Sequence, residues 1–169
     1  MENKLFLLNQ AYSLLSEHTP LKTDCGLLCG KACCKSNSVG NTENAGMLLL
    51  PGEENLLCDS FFTFSDSEEG KILTCDGSCN REMRPFSCRI FPYYARISPD
   101  GKITLKQDPR AFNICPVSLR KKGTRINVYF KRNAIRAVRV LMRDEDFKRE
   151  LIKTSEFCDG LYDFYRKVL

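Results

Sequence analysis

Apolar residues recur every three or four positions near the start of the chain, at Leu5, Leu8, Ala11, Tyr12 and Leu15. That spacing lines one side of an α-helix, so the pattern predicts a helix over 2–18, ended by Pro20. Residues 21–45 are dominated by Cys, Gly, Lys, Ser and Asn. They hold too little apolar surface to offset the entropy of ordering them unaided, and read as a loop wrapped around something. A short apolar run over 46–50 predicts a buried strand, Pro51-Gly52 a turn, and Glu53-Glu54 the opening of a helical turn. Phe61–Phe64 and Lys71–Thr74 are candidate strands. Residues 92–98 and 102–107 read as a hairpin closed by Ser98-Pro99-Asp100-Gly101, in which Asp-Gly supplies the positive φ of the turn. Beyond Cys115-Pro116 the texture becomes helical. Thr124 is placed to cap a helix running to Met142, and Asp144–Ile152 and Ser155–Val168 read as two more.

These elements predict a single α+β domain over 1–169. An N-terminal helix (1–20) leads into an irregular, cysteine-rich metal-binding core with short strands (21–120), and C-terminal helices (121–169) follow. The chain of 169 residues is 43% hydrophobic and 28% charged, the range of ordinary globular proteins. Its longest apolar patches, Phe6-Leu7-Leu8 and Met47-Leu48-Leu49-Leu50, fall far short of the roughly 18 residues a membrane span needs. After Lys4 the apolar run stops at Asn9 and Gln10, and no small-residue cleavage site follows, unlike a signal peptide. The expectation is therefore a cytoplasmic protein without a membrane partner.

That placement governs how the ten cysteines are read. In a reducing compartment, clustered cysteines bind metal or do redox work more often than they form disulfides. The first cluster is Cys25-Gly-Leu-Leu-Cys29-Gly-Lys-Ala-Cys33-Cys34, in which Cys-Gly-x-x occurs twice. A glycine after each cysteine suits a knuckle whose backbone turns tightly and aims its amides at thiolate sulfur. Adjacent side chains diverge, so the choice between Cys33 and Cys34 as ligand stays open. The second group is Cys75-Asp-Gly-Ser-Cys79, followed by Arg84-Pro85-Phe-Ser-Cys88-Arg89, and the third is Cys115-Pro116. Arg84 and Arg89 either offset the charge of grouped thiolates or pair with Glu53 or Glu54 to lock the fold. The candidate ligands are Cys25, Cys29, Cys33, Cys34, Cys79, Cys88 and Cys115, with Cys75 in reserve. Cys58 and Cys158 stand apart and read as core or partly buried residues. His18, the only histidine, sits near the end of the first helix, where it either meets the last carbonyls or joins a metal.

The candidates exceed the four ligands of one tetrahedral zinc or one 4Fe-4S cluster, so either two sites exist or some members support the others. Zinc and an iron–sulfur cluster both accept such thiolates, and the surplus of cysteines leans toward the cluster. The segment as a whole, with Arg84-Pro85-x-x-Cys88-Arg89 and Cys115-Pro116 in that order, resembles the YkgJ-type or CxxCxxCC family of zinc- or iron-chelating proteins over residues 24–116. The first cluster here has the spacing Cys-x-x-x-Cys-x-x-x-Cys-Cys, which differs from the pattern in the family's name. The resemblance implies metal chelation through Cys25, Cys29, Cys33, Cys34, Cys79, Cys88 and Cys115. Flagellin lysine N-methylases carry a similar cysteine region, so the resemblance also admits a protein lysine N-methylase-like transferase. Radical chemistry with S-adenosylmethionine fits poorly, because the next cysteine spacing is three rather than two and a full barrel takes about 250 residues.

No Walker-type phosphate loop or dinucleotide fingerprint is present. The net charge is +5 and the pI about 8.7. Much of the excess lies in Arg120, Lys121, Lys122, Arg125, Lys131, Arg132, Arg136, Arg139 and Arg143. On a helix the latter part of this run forms a basic face opposite Val128, Ile135, Val138 and Leu141 or a neighbouring stripe. That admits a nucleic-acid-binding module as a third function class. Asp144, Glu145, Asp146 and Glu150 follow at once and argue for a solvated helix face instead.

Overall fold

The computed structural model describes residues 2–21, 30, 32–35, 46–58, 62–75, 79–112, 114–118 and 126–168. Cys25, Cys29, Phe61, Arg120, Lys121, Lys122, Thr124 and Arg125 lie outside them, as does the side chain of Cys34.

The helical stripe read near the start forms helix α1, Glu2–Leu14. It stops four residues before the expected end. Leu15 N–H bonds to Tyr12 O at 3.0 Å and Ser16 N–H to Ser13 O at 3.3 Å, so the last turn tightens and closes. Leu7, Leu8, Ala11 and Leu15 are buried. A short helix α2 covers Ala32–Lys35. Strand β1 is Met47–Leu48, and Gly52, at φ 84°, opens a 3-10 turn over Glu53–Leu56 as Pro51-Gly52 led one to expect.

Strands β2 (Phe62–Ser67) and β3 (Gly70–Cys75) form an antiparallel hairpin in which Phe62 faces Cys75 and Ser67 faces Gly70. β1 adds to the other edge of β3, with Met47 opposite Leu73. Gly46 permits that approach: a Cβ there would lie 2.3 Å from Ile72 Cγ2 and 2.8 Å from Leu73 O. A second hairpin pairs β4 (Tyr93–Ile97) with β5 (Ile103–Gln107). Its turn is the expected one, with Gly101 at φ 77° and its N–H bonded to Ser98 O at 2.8 Å. Between the hairpins sits helix α3, Phe86–Ile90, started by Pro85.

Two helices end the chain. α4 spans Val128–Leu141, and Asn127 caps it by accepting from Tyr129 N–H at 3.0 Å. α5 runs unbroken over Glu145–Val168, where the sequence pattern predicted two helices. Its buried residues Phe147, Leu151, Ser155 and Cys158 keep one face in phase across the expected break. No proline interrupts it, and the roughly 1 kcal/mol cost of Gly160 in a helix is small beside the burial of such a face. Asp144 starts α5 by accepting from Asp146 N–H and Phe147 N–H.

The main core joins α1, α3, α4, α5 and β4 through Leu8, Phe86, Ala95, Phe130, Val138, Leu141 and Phe147. Fully burying a side chain of this size contributes about 1.5–3 kcal/mol, so these contacts fix the terminal helices against the small sheets. The fold is thus mixed α+β, with an N-terminal helix, small antiparallel sheets and C-terminal helices. None of the described helices is long and apolar enough to cross a membrane.

Candidate metal centre

β3 carries Cys75 at its C-terminal end. The chain re-emerges at Cys79, and Asn80 then accepts from Glu82 N–H at 3.2 Å, capping a 3-10 turn over Arg81–Met83. This tight turn brings Arg84 back onto Cys79. Cys79 is buried and hydrogen-bonds both Cys75 and Arg84. The bond to Cys75, reinforced by burial, pushes the Cys79 thiol well above its ordinary pKa, while Arg84 opposes the shift. A buried thiol that shares a proton with a neighbour, and has a guanidinium beside it, has the donor chemistry of a soft metal site. Displacing the protons by a cation satisfies both sulfurs, and Arg84 remains to hydrogen-bond a thiolate.

Arginines crowd this end of the fold. Arg89 loses basicity chiefly through burial; Tyr12 and Glu53 oppose the fall, and Arg81 and Arg84 add to it by repulsion. The Arg89 guanidinium lies 4.0 Å from the Tyr12 ring centroid and donates to the carbonyls of Arg84, at 2.7 Å, and Glu82. Arg81 donates to His18 O at 3.1 Å.

Glu53 is the acid of this region and is fully buried. Its carboxylate accepts from Tyr12 Oη and Phe86 N–H, each at 2.5 Å, and from Leu50 N–H at 2.9 Å. Burial raises its pKa, and these three donors together with Arg89 oppose that rise. The expected pairing of Arg84 or Arg89 with Glu53 or Glu54 therefore takes an indirect form. Arg89 feels the Glu53 charge but sits on the face of Tyr12, whose hydroxyl reaches the carboxylate. Because Phe86 opens α3, Glu53 also fixes the helix that carries Cys88 and Arg89. Tyr12 was legible only as part of an apolar stripe, so its place in this network has no signal in the sequence.

Cys88 is half-buried on α3, close enough to Tyr12 for its charge to act on the phenol. Cys115 is buried in a satellite cluster with Ala111 and Val117, against which Leu21 and Phe91 pack. Its N–H bonds to Ala111 O at 2.8 Å. Cys33 is half-buried on α2. The two ends of the cysteine-rich segment are anchored at these same places. Leu21, at its entry, packs on the Cys115 cluster, and Gly46, at its exit, lies against Leu73 and Thr74, just before Cys75. The described residues thus bring Cys75, Cys79 and Arg84 together, and among them no group of three or more His, Cys, Asp or Glu side chains is arranged to hold a metal ion. Cys25 and Cys29, which the sequence reading also places among the ligands, lie outside the described residues.

The remaining candidates divide. Cys158 is buried as expected, and burial, with Asp108 adding to it, pushes its thiol up to about 12. Cys58 is exposed, contrary to the expectation of a core or partly buried residue; the preceding Leu57 takes the buried position. The His18 ring stacks on Tyr129, with centroids 5.6 Å apart and planes at 27°.

The chain matches no known protein family, no characterised protein and no solved structure.

Proposed function

We propose that the chain binds a metal centre, an iron–sulfur cluster or zinc, through its grouped cysteines. The observation that carries this reading is the buried Cys79, bonded to the half-buried Cys75 and to Arg84 at an arginine-rich end of the fold. Arg84, beside Cys79, is placed to offset part of the charge of grouped thiolates. Cys79, Cys88 and Cys115 contribute from the described residues, and Cys25, Cys29 and one of Cys33 and Cys34 come from the loop anchored at both ends nearby. Cys75 enters the set as the hydrogen-bond partner of Cys79. The surplus of cysteines over four favours the cluster over zinc.

The test is metal and sulfide analysis with visible absorption, on untagged protein purified without oxygen. Iron with sulfide and a brown colour supports the cluster, and stoichiometric zinc without colour supports a zinc site. Cys29→Ala, Cys79→Ala and Cys88→Ala should each lower metal content. A protein that purifies without metal and takes up neither ion on reconstitution refutes the proposal, as does unchanged metal content in all three variants.

A further inference from the structure

We propose that the outer face of α4 binds single-stranded nucleic acid, independently of the cysteines. Over Val128–Leu141 the helix contains no acidic residue. Its buried side is Phe130, Ala134, Ala137, Val138 and Leu141. Val128 belongs to the outside, at 67% exposed, which corrects the expected apolar stripe; Phe130 takes the anchoring position two residues on. At about 100° per residue, Arg132, Arg136 and Arg139 fall within an arc of about 60° directly opposite the buried side, and Arg143 follows in the turn just past the helix end. All four are exposed. Tyr129 continues the same row toward the N-terminal end, 62% exposed and stacked on His18.

The acids that follow α4 do not neutralise this row. Asp144 caps α5 and lies 4.0 Å from Lys4, and Asp146 pairs with Lys4 and, at 2.6 Å, with Arg149. Glu145 pairs with Lys148 at 3.2 Å and Glu150 with Lys153 at 3.0 Å. The basic residues of α5 thus have carboxylates along their own helix. Among the described residues, none of the four arginines of the α4 row forms an ion pair. The helix dipole favours cations only around the last turn, near Arg139 and the Arg143 that follows it, but not at Arg132 or Arg136.

A row of unneutralised arginines is complementary to phosphates, which guanidinium binds through paired hydrogen bonds. An exposed aromatic stack at the end of the row offers a π-face to an unstacked base. In a duplex the bases are already stacked, so this feature selects the single strand. A lipid surface fits less well, because an interfacial helix needs a free apolar face and that of α4 is buried in the core.

Fluorescence anisotropy of the full chain with labelled oligothymidylate, between ~25 mM and ~200 mM salt, tests the idea. With four phosphate contacts, the logarithm of the binding constant should fall against that of salt with a slope of about −3. The variant R132Q/R136Q/R139Q/R143Q should bind at least ~10-fold more weakly at low salt and flatten the slope. Tyr129→Ala should lose about fivefold or more on the single strand and little on a duplex of equal length. All five side chains are exposed, so unchanged circular dichroism is expected of both variants. Absence of binding at low salt overturns the proposal. So does unchanged affinity in the quadruple variant, or binding to phosphatidylserine vesicles or polyglutamate with none to the strand. Cysteine variants that lose metal should keep this binding, which separates its failure from failure of the metal reading.

Discussion

Removing the Glu53 carboxylate should destabilise the protein by about 3–5 kcal/mol, although nothing in the metal proposal places Glu53 among the ligands. Leu50 N–H and Phe86 N–H are buried donors whose side-chain acceptor is this carboxylate. An orphaned buried donor costs ~1–3 kcal/mol, so two cost ~2–6 kcal/mol. Tyr12 Oη loses its acceptor as well, but belongs to a half-buried residue and can turn toward water. Arg89 loses the negative charge that favours its own protonation. Deleting a buried carboxylate also removes its desolvation penalty, which brings the net cost of Glu53→Ala to the ~3–5 kcal/mol typical of removing one partner from a buried charged set. Glu53→Gln keeps one carbonyl oxygen but turns an amide toward one of the two N–H groups, for about 1–3 kcal/mol. Urea unfolding followed by far-ultraviolet circular dichroism gives both values from the midpoint and slope. Tyr12→Phe removes one donor from the same carboxylate, so its effect should not add to that of Glu53→Ala, and a coupling energy of ~0.5–3 kcal/mol is expected. A cost below ~1 kcal/mol for Glu53→Ala, or strict additivity with Tyr12→Phe, would refute the reasoning. Because the carboxylate fixes the first turn of α3, Glu53→Gln should also lower the metal content of the folded protein through Cys88.

The join between α5 and the second hairpin is open to the same approach. Ser155 Oγ accepts from Ile97 N–H at 2.9 Å, and Ser155→Ala should cost about 1–2 kcal/mol in the same urea assay. Asp159 meets Tyr94 Oη and Arg96 Nε, each at 2.7 Å. Burial alone would raise its pKa, but these hydrogen bonds and the charges of Arg96 and Lys106 hold it below the usual carboxylate range. Its stabilisation is therefore present above the unfolded-state value near 4 and fades as pH falls through the lower folded-state value. The stability gap between the parent protein and Asp159→Asn should narrow below about pH 4, and a gap constant with pH would contradict this. Gly46→Ala forces a Cβ against Leu73 O and Ile72 Cγ2 and should cost about 1–3 kcal/mol. Gly160→Ala meets nothing within 4 Å inside a helix and should stabilise by about 0.5–1 kcal/mol. Thermal melts that rank the two glycine variants the other way would mean the contact geometry is wrong.

Features of short range were legible in the sequence. The turns at Pro51-Gly52 and Asp100-Gly101, the hairpin over 92–107 and the stripe of α1 rest on periodicity and on backbone preferences that act over a few residues. The grouping of Cys75, Cys79 and Arg84 was partly legible for the same reason, since the three lie within ten residues of sequence and the turn over Arg81–Met83 returns Arg84 to Cys79.

What only the tertiary structure decided involves partners far apart along the chain. α5 stays whole because the core accepts an unbroken face from Phe147 to Cys158. Val128 faces water because Phe130 anchors α4, and Cys58 faces water because Leu57 takes the inward position. Glu53 meets Tyr12 and Phe86 across separations of 41 and 33 residues, and Asp144 and Asp146 are drawn from the arginines of α4 to Lys4 at the other end of the chain. Residue type determines which partners a side chain can accept. Which of them it meets depends on burial and on the relative placement of distant elements, and these exist only once the core has formed.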